Sequence, residues 1–139
     1  MTVAISTHAD ALHAALRSGQ PIDPLTGRVD GLDLAGAYAI AQAGMAHRLA
    51  EGETVVGRKI GLTSVAVQRM LGVDQPDFGV LTDRMDHSRT GAISVDGMIA
   101  PRAEGEIAFH LKHDLAGPGI TLHDVLLATE SVSACFEIV

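Results

Sequence analysis

Glu104 and Glu106 stand two residues apart within the stretch 98–111. The odd positions Ala103, Gly105, Ile107, Phe109 and Leu111 are small or apolar, and the even positions are Arg102, Glu104, Glu106, Ala108 and His110. That period of two predicts a β-strand with one buried face. Both carboxylates then leave the same face, about 7 Å apart at the backbone. Anions that close repel unless a cation or a proton lies between them. A hard divalent ion such as Mg2+ suits such an oxygen pair. The plainer alternative is that Arg102, on the same face, neutralises one carboxylate of a solvated strand.

Three more side chains are candidates for chemistry. Glu137 is a third carboxylate, between Phe136 and Ile138 on an apolar terminal segment. Burying it unpaired is costly, so it binds a metal or a partner, or else it lies on an exposed edge strand. Three carboxylates, water and a chelating ligand complete six-fold coordination of Mg2+. Lys59 lies between Gly57 and Gly61 at a strand end. It can bind a substrate carboxylate or, if desolvated, act as a base; it can equally be an ordinary surface lysine. Asp77, within the run Gln75, Pro76, Asp77, Phe78, Gly79, is either catalytic or a turn cap.

Other chemistries find little support. The seven histidines form no zinc pattern, since His110 and His113 fall on opposite faces of the predicted strand, and Cys135 has no second cysteine. Phosphate-loop and nucleophile-elbow motifs are absent. Three Phe, one Tyr and no Trp are too few rings for a single-stranded nucleic-acid platform. A formal charge of -7 argues against nucleic acid and anionic membrane as partners and leaves room for a cation. The lone cysteine excludes an internal disulfide and fits a reducing cytoplasm. No apolar run spans a bilayer, and the first residues do not read as a signal peptide.

These residues need a scaffold. A chain of 139 residues, 47% of them hydrophobic, has the size and core of one domain. A first helix is expected from Ser6 or Thr7, as cap, to Arg17, stopped by Gly19 and Pro21. A second runs from the N-cap Asp33 to Glu51, with Leu34, Tyr38, Ala41, Met45 and Leu49 as its buried stripe. Residues 54–60 read as a strand, Ser64–Leu71 as a short helix closed by Gly72, and 74–79 as a polar turn. A strand over Ala92–Val95 leads to Asp96 and Gly97, a hairpin turn signal, so the paired glutamates belong to the returning strand. Thr121 caps a helix from Leu122 to Val132, with Asp124 completing a capping box. The last strand places Phe136 and Ile138 on one side and Cys135 and Glu137 on the other. An uncapped strand at the terminus has backbone groups that need a neighbour, so the chain is expected to stop within a fold.

Four motifs in order carry a resemblance: 56–63 around Lys59, 71–79 around Asp77, 101–108 around the paired glutamates, and the late 136–139. Together they resemble the 2-keto-4-pentenoate hydratase family, which includes the 4-oxalocrotonate decarboxylases, within the fumarylacetoacetase-like superfamily. The resemblance covers nearly the whole chain and implies a mixed α/β (α+β) fold: N-terminal helices over residues 1–52, then the first part of a catalytic β-roll over 53–139, with the C-terminal part of the roll missing. By the same resemblance, Glu104, Glu106 and Glu137 match the ligands of Mg2+ or Mn2+, Lys59 the substrate-facing lysine, and Asp77 the active-site aspartate. Gly105 departs from the alanine common in the family. The implied reaction is hydration of 2-hydroxypenta-2,4-dienoate to 4-hydroxy-2-oxopentanoate in meta-cleavage catabolism. The alternatives are decarboxylation of 2-oxohex-3-enedioate (4-oxalocrotonate) and a non-catalytic partner subunit. The family implies a small 2-oxo or 2-hydroxy dienoic acid as ligand, a homo-oligomer, and association with a pathway enzyme. Family members are longer, so the chain is expected to be part of a longer protein.

Overall fold

The computed structural model describes residues 4–139 and mixes helix with antiparallel sheet. It divides into two compact units, Met1–Ile99 and Ala100–Val139.

In the first unit, helices α1 (Ile5–Ser18) and α2 (Leu34–Ala50) pack together. Their contact is built from small residues: Ala9 and Ala15 of α1 are buried with Ile40 of α2. Two details differ from the sequence reading. Ser6 and Thr7 lie inside α1, whose N-cap is Ala4 without a side-chain hydrogen bond, while Gly19 ends the helix at φ 66° as expected. The buried stripe of α2 is rotated: Leu34 and Leu49 are exposed, and Ile40 takes the inner position. Ala41, Gly44 and Met45 line the groove against Leu12 and Leu16 of α1. Alanine-rich helices carry little apolar contrast between faces, so their rotation follows close packing more than periodicity. Asp33 caps α2 as expected, accepting from the Gly36 amide at 2.8 Å.

Strand β1 (Val55–Gly61) follows, then helix α3 (Val65–Leu71) closed by Gly72 at φ 71°, then strand β2 (Asp77–Thr82). Strands β1 and β2 pair antiparallel, with Lys59 opposite Gly79 and Gly61 opposite Asp77. The expected turn over 74–79 is thus shorter, because Asp77, Phe78 and Gly79 already belong to β2. The Phe78 amide donates to the Tyr38 hydroxyl at 3.2 Å, tying β2 to α2. Tyr38→Phe strands that donor, and a loss of about 1 kcal/mol is expected. A thermal melt lowered by a few degrees is the readout, and an unchanged melting temperature would show the bond to be idle.

Glu53 and Thr82 form the polar centre of this unit, at 4% and 0% relative exposure. The Thr82 hydroxyl donates to Glu53 Oε2, and Arg48 Nη1 donates to both carboxylate oxygens at 3.3 and 3.1 Å. The Thr82 hydroxyl, against an opposing desolvation and with help from Arg48, holds the Glu53 carboxyl below its ordinary value.

The second unit is a long hairpin and one helix. Strand β3 (Ala103–Leu111) pairs antiparallel with β4 (Thr129–Ile138), and helix α4 (Leu122–Ala128) lies between them in sequence. The Thr121–Asp124 capping box forms as read. Helix α4 stops at Ala128, short of Val132, because Thr129–Val132 are drawn into the ladder with β3. Residues 92–95 form no strand; Asp96 and Gly97 do turn, but the glutamate strand pairs with β4 instead. The apolar face of this hairpin is open, with Ile107, Phe109, Val132 and Phe136 all more than half exposed.

Candidate functional site

Antiparallel register decides which side chains share a face of the β3–β4 hairpin. Glu104 pairs with Glu137, Glu106 with Cys135, Ala108 with Ser133 and His110 with Ser131. Directly opposed residues point to the same side, so the three glutamates share the polar face, and Ile107, Phe109, Val132 and Phe136 lie on the other. One carboxylate oxygen from each of Glu104, Glu106 and Glu137 lies within 4.8 Å of the others. The convergence of Glu137 with the first two was invisible in the spacing, because 30 intervening residues separate Glu137 from Glu106.

Among the described residues, no ion pair joins Arg102 to Glu104 or Glu106. Arg102 instead extends the ladder through its backbone, exchanging amide and carbonyl bonds with Val139 at 2.9 and 3.0 Å. Neutralisation by Arg102, the plainer alternative, is therefore not what the geometry displays for these two side chains. Three gathered carboxylates form a hard, all-oxygen donor set that fits a divalent ion of the Mg2+ or Ca2+ type. A Cβ at Gly105 would meet nothing within 4 Å, so its departure from alanine leaves the glutamates on either side undisturbed. Further along the same face, His110 Nε2 and Ser133 Oγ are hydrogen-bonded at 2.9 Å, a pair with no signal in the sequence spacing.

Lys59 and Asp77 belong to the other unit, where β1 and β2 bring them together. Lys59 faces Gly79 and Asp77 faces Gly61, so both charged side chains occupy one face of the ladder on a diagonal. Diagonal neighbours lie about 7–8 Å apart, within reach of a lysine stem. Lys59 is half-buried and Asp77 exposed. On the opposite face Ile60 and Phe78 pair and are both more than half exposed.

The chain is similar to several proteins named as hydratases. It is 52% identical over 137 residues to a 2-hydroxyhexa-2,4-dienoate hydratase of Comamonas testosteroni, covering 97% of this chain and 52% of that protein. It is 51% identical over 136 residues to a 2-hydroxypent-2,4-dienoate hydratase of Pseudomonas putida, covering 97% of this chain and 61% of the relative. A 2-keto-4-pentenoate hydratase of Paraburkholderia xenovorans is 43% identical over 131 residues. The chain thus spans about half the length of the curated relatives it matches. Among solved structures, 4-oxalocrotonate decarboxylase from Pseudomonas putida G7 superposes with TM-scores of 0.83 in complex with magnesium and adipate and 0.85 with calcium and acetate. Identity to those two is 28% and 30%, over 96% of this chain and 51–52% of theirs. No protein-family model matches the chain. Among the described residues, no helix is long and apolar enough to cross a membrane.

Proposed function

We propose that this chain is part of a member of the 2-keto-4-pentenoate hydratase and 4-oxalocrotonate decarboxylase family and carries part of the active site of a metal-dependent hydro-lyase. The substrate is 2-hydroxypenta-2,4-dienoate or a close alkyl homologue, and the product from the five-carbon acid is 4-hydroxy-2-oxopentanoate. The observation that carries this reading is the gathering of Glu104, Glu106 and Glu137 within 4.8 Å on one hairpin face. Relatives named as hydratases at 42–52% identity support it, and so does the divalent ion in both decarboxylase complexes.

Glu104, Glu106 and Glu137 hold the ion, Mg2+ in the first instance and Mn2+ as the second choice. When bound, such an ion supplies Lewis acidity, stabilising negative charge on the 2-oxygen of a 2-oxo acid. The remaining chemistry is proton traffic. Ketonisation moves the proton of the 2-hydroxyl to C5, and water then adds across C3 and C4, its oxygen to C4 and a proton to C3. Lys59 and Asp77 serve as the acid–base pair for these transfers. An ammonium and a carboxylate on one sheet face offer both a donor and an acceptor, and each can restore the other's protonation state after one cycle. The small-acid substrate and a homo-oligomeric assembly are parts of the same proposal.

A direct assay separates the readings. With the full-length protein, dienol absorbance is expected to decay only when Mg2+ or Mn2+ is present, with 4-hydroxy-2-oxopentanoate as product. Release of CO2 from the six-carbon diacid without dienol hydration would favour decarboxylation, the activity named for the two solved neighbours. The hydratase is preferred because the relatives of that name are the more similar in sequence. Turnover of neither acid in the presence of divalent metal would leave the non-catalytic partner reading.

A further inference from the structure

We infer that Gly61 and Gly79 are positioning residues, whose missing side chains let Lys59 and Asp77 lie flat across the β1–β2 ladder. This rests on the reading of Lys59 and Asp77 as the acid–base pair. Side chains of a strand ordinarily stand perpendicular to the sheet. Here they do not. A Cβ built at Gly79 would lie 2.7 Å from Lys59 Cγ and 3.0 Å from Cδ, with Cε at 3.9 Å. The lysine stem therefore runs over the glycine backbone of the neighbouring strand. A Cβ at Gly61 would lie 3.1 Å from Asp77 Cγ and overlap Oδ1 outright. The aspartate folds over its own glycine partner in the same way.

The two vacancies are reciprocal. Each charged residue faces a glycine, and the two pairs follow one another along one face. Other glycines in strands behave differently. A Cβ at Gly57, also in β1, would make only ordinary contact with Leu81, at 3.7 Å, and one at Gly105 would touch nothing within 4 Å. Among the strand glycines of the described residues the overlap is thus confined to the two opposite the candidate pair. A lysine pinned along its stem samples few rotamers, so its ammonium is delivered to one place. Proton transfer is steeply sensitive to such placement, and a 1 Å displacement can cost about 100-fold in rate.

The test is a set of variants in the full-length protein, read by steady-state kinetics across pH and by thermal melting. Gly79→Ala is expected to lower kcat about 10- to 100-fold and to shift one limb of the pH–rate profile, with KM less affected. Lys59→Ala is expected to lower kcat on its own, and adding Gly79→Ala to it should then cost little more rate and little further melting temperature. Gly61→Ala and Asp77→Ala are expected to show the same non-additivity. Gly57→Ala is the matched control and should keep wild-type kcat. If Gly79→Ala and Gly61→Ala retain wild-type kcat and pH profile while Lys59→Ala and Asp77→Ala do not, the positioning inference is overturned and the acid–base reading stands. If Lys59→Ala and Asp77→Ala themselves retain wild-type kcat, the acid–base reading fails and takes the inference with it. Full additivity of the melting-temperature losses would overturn the steric account by itself.

Discussion

Glu106→Gln is expected to lower divalent-ion affinity about 100-fold or more and to remove metal-dependent dienol turnover. Glutamine keeps the shape of the side chain and discards one charge of three, so the change isolates electrostatics from packing. Loss of an outer-sphere partner alone commonly costs 10- to 100-fold in metal affinity, and a direct oxygen ligand is worth at least as much. Glu106 is exposed and its neighbour Gly105 has open space around it, so the fold has little stake in the carboxylate. Removing an anion from a cluster of like charges also relieves repulsion. The metal-free variant should accordingly melt no lower than the metal-free parent, whereas added Mg2+ should stabilise the parent far more than the variant. Calorimetric titration with Mg2+, paired with melts at both metal concentrations, checks both halves. Equal affinity in parent and variant would remove Glu106 from the ligand set. Equal loss in Glu104→Gln and Glu137→Gln would strengthen the reading of one shared ion.

Arg48→Met is expected to destabilise the first unit by about 3 kcal/mol. Methionine preserves the stem of Arg48 and leaves the Glu53 carboxylate, 4% exposed, without the Nη1 donor that both its oxygens share. Thr82 and the more distant Arg17, whose Nη2 lies 3.7 Å from Glu53 Oε1, remain and limit the loss. Urea denaturation should show a lower midpoint at unchanged slope. The pH dependence has a definite sign. The native carboxyl of Glu53 sits below its ordinary value of 4.5, so the native state binds fewer protons there than the unfolded chain. Its contribution is therefore present above pH 4.5 and is lost as the pH falls through the lowered native value. Glu53→Gln should flatten that part of the acid limb, and an unflattened limb would assign it to other carboxylates. Glu53 drew no notice in the sequence, although an acid between Gly52 and the β-branched run Thr54, Val55, Val56 is a place where burial could have been suspected.

Much of the local structure was legible in the sequence because it is written in short-range chemistry. The Asp33 cap, the Gly19 and Gly72 stops, the Thr121–Asp124 box and the alternation that put Glu104 and Glu106 on one face all depend on residues within about four positions of one another. The sequence also carried the resemblance to the hydratases, through four short motifs in a fixed order. It misled where local signals met a distant competitor. Asp96 and Gly97 do turn, yet the strand expected before them does not form, because β3 finds a longer complementary partner in β4. Thr129–Val132 continue a helical pattern on paper, but in the ladder they extend that same pairing, and the helix yields. The tertiary structure alone decided register: that Glu137 lands opposite Glu104, that Lys59 lies over Gly79, and that Asp77 lies over Gly61. Composition and periodicity specify which face a side chain takes on its own strand. Which distant residue it meets there depends on how whole strands align, and a shift of one position would turn every one of these side chains to the other face.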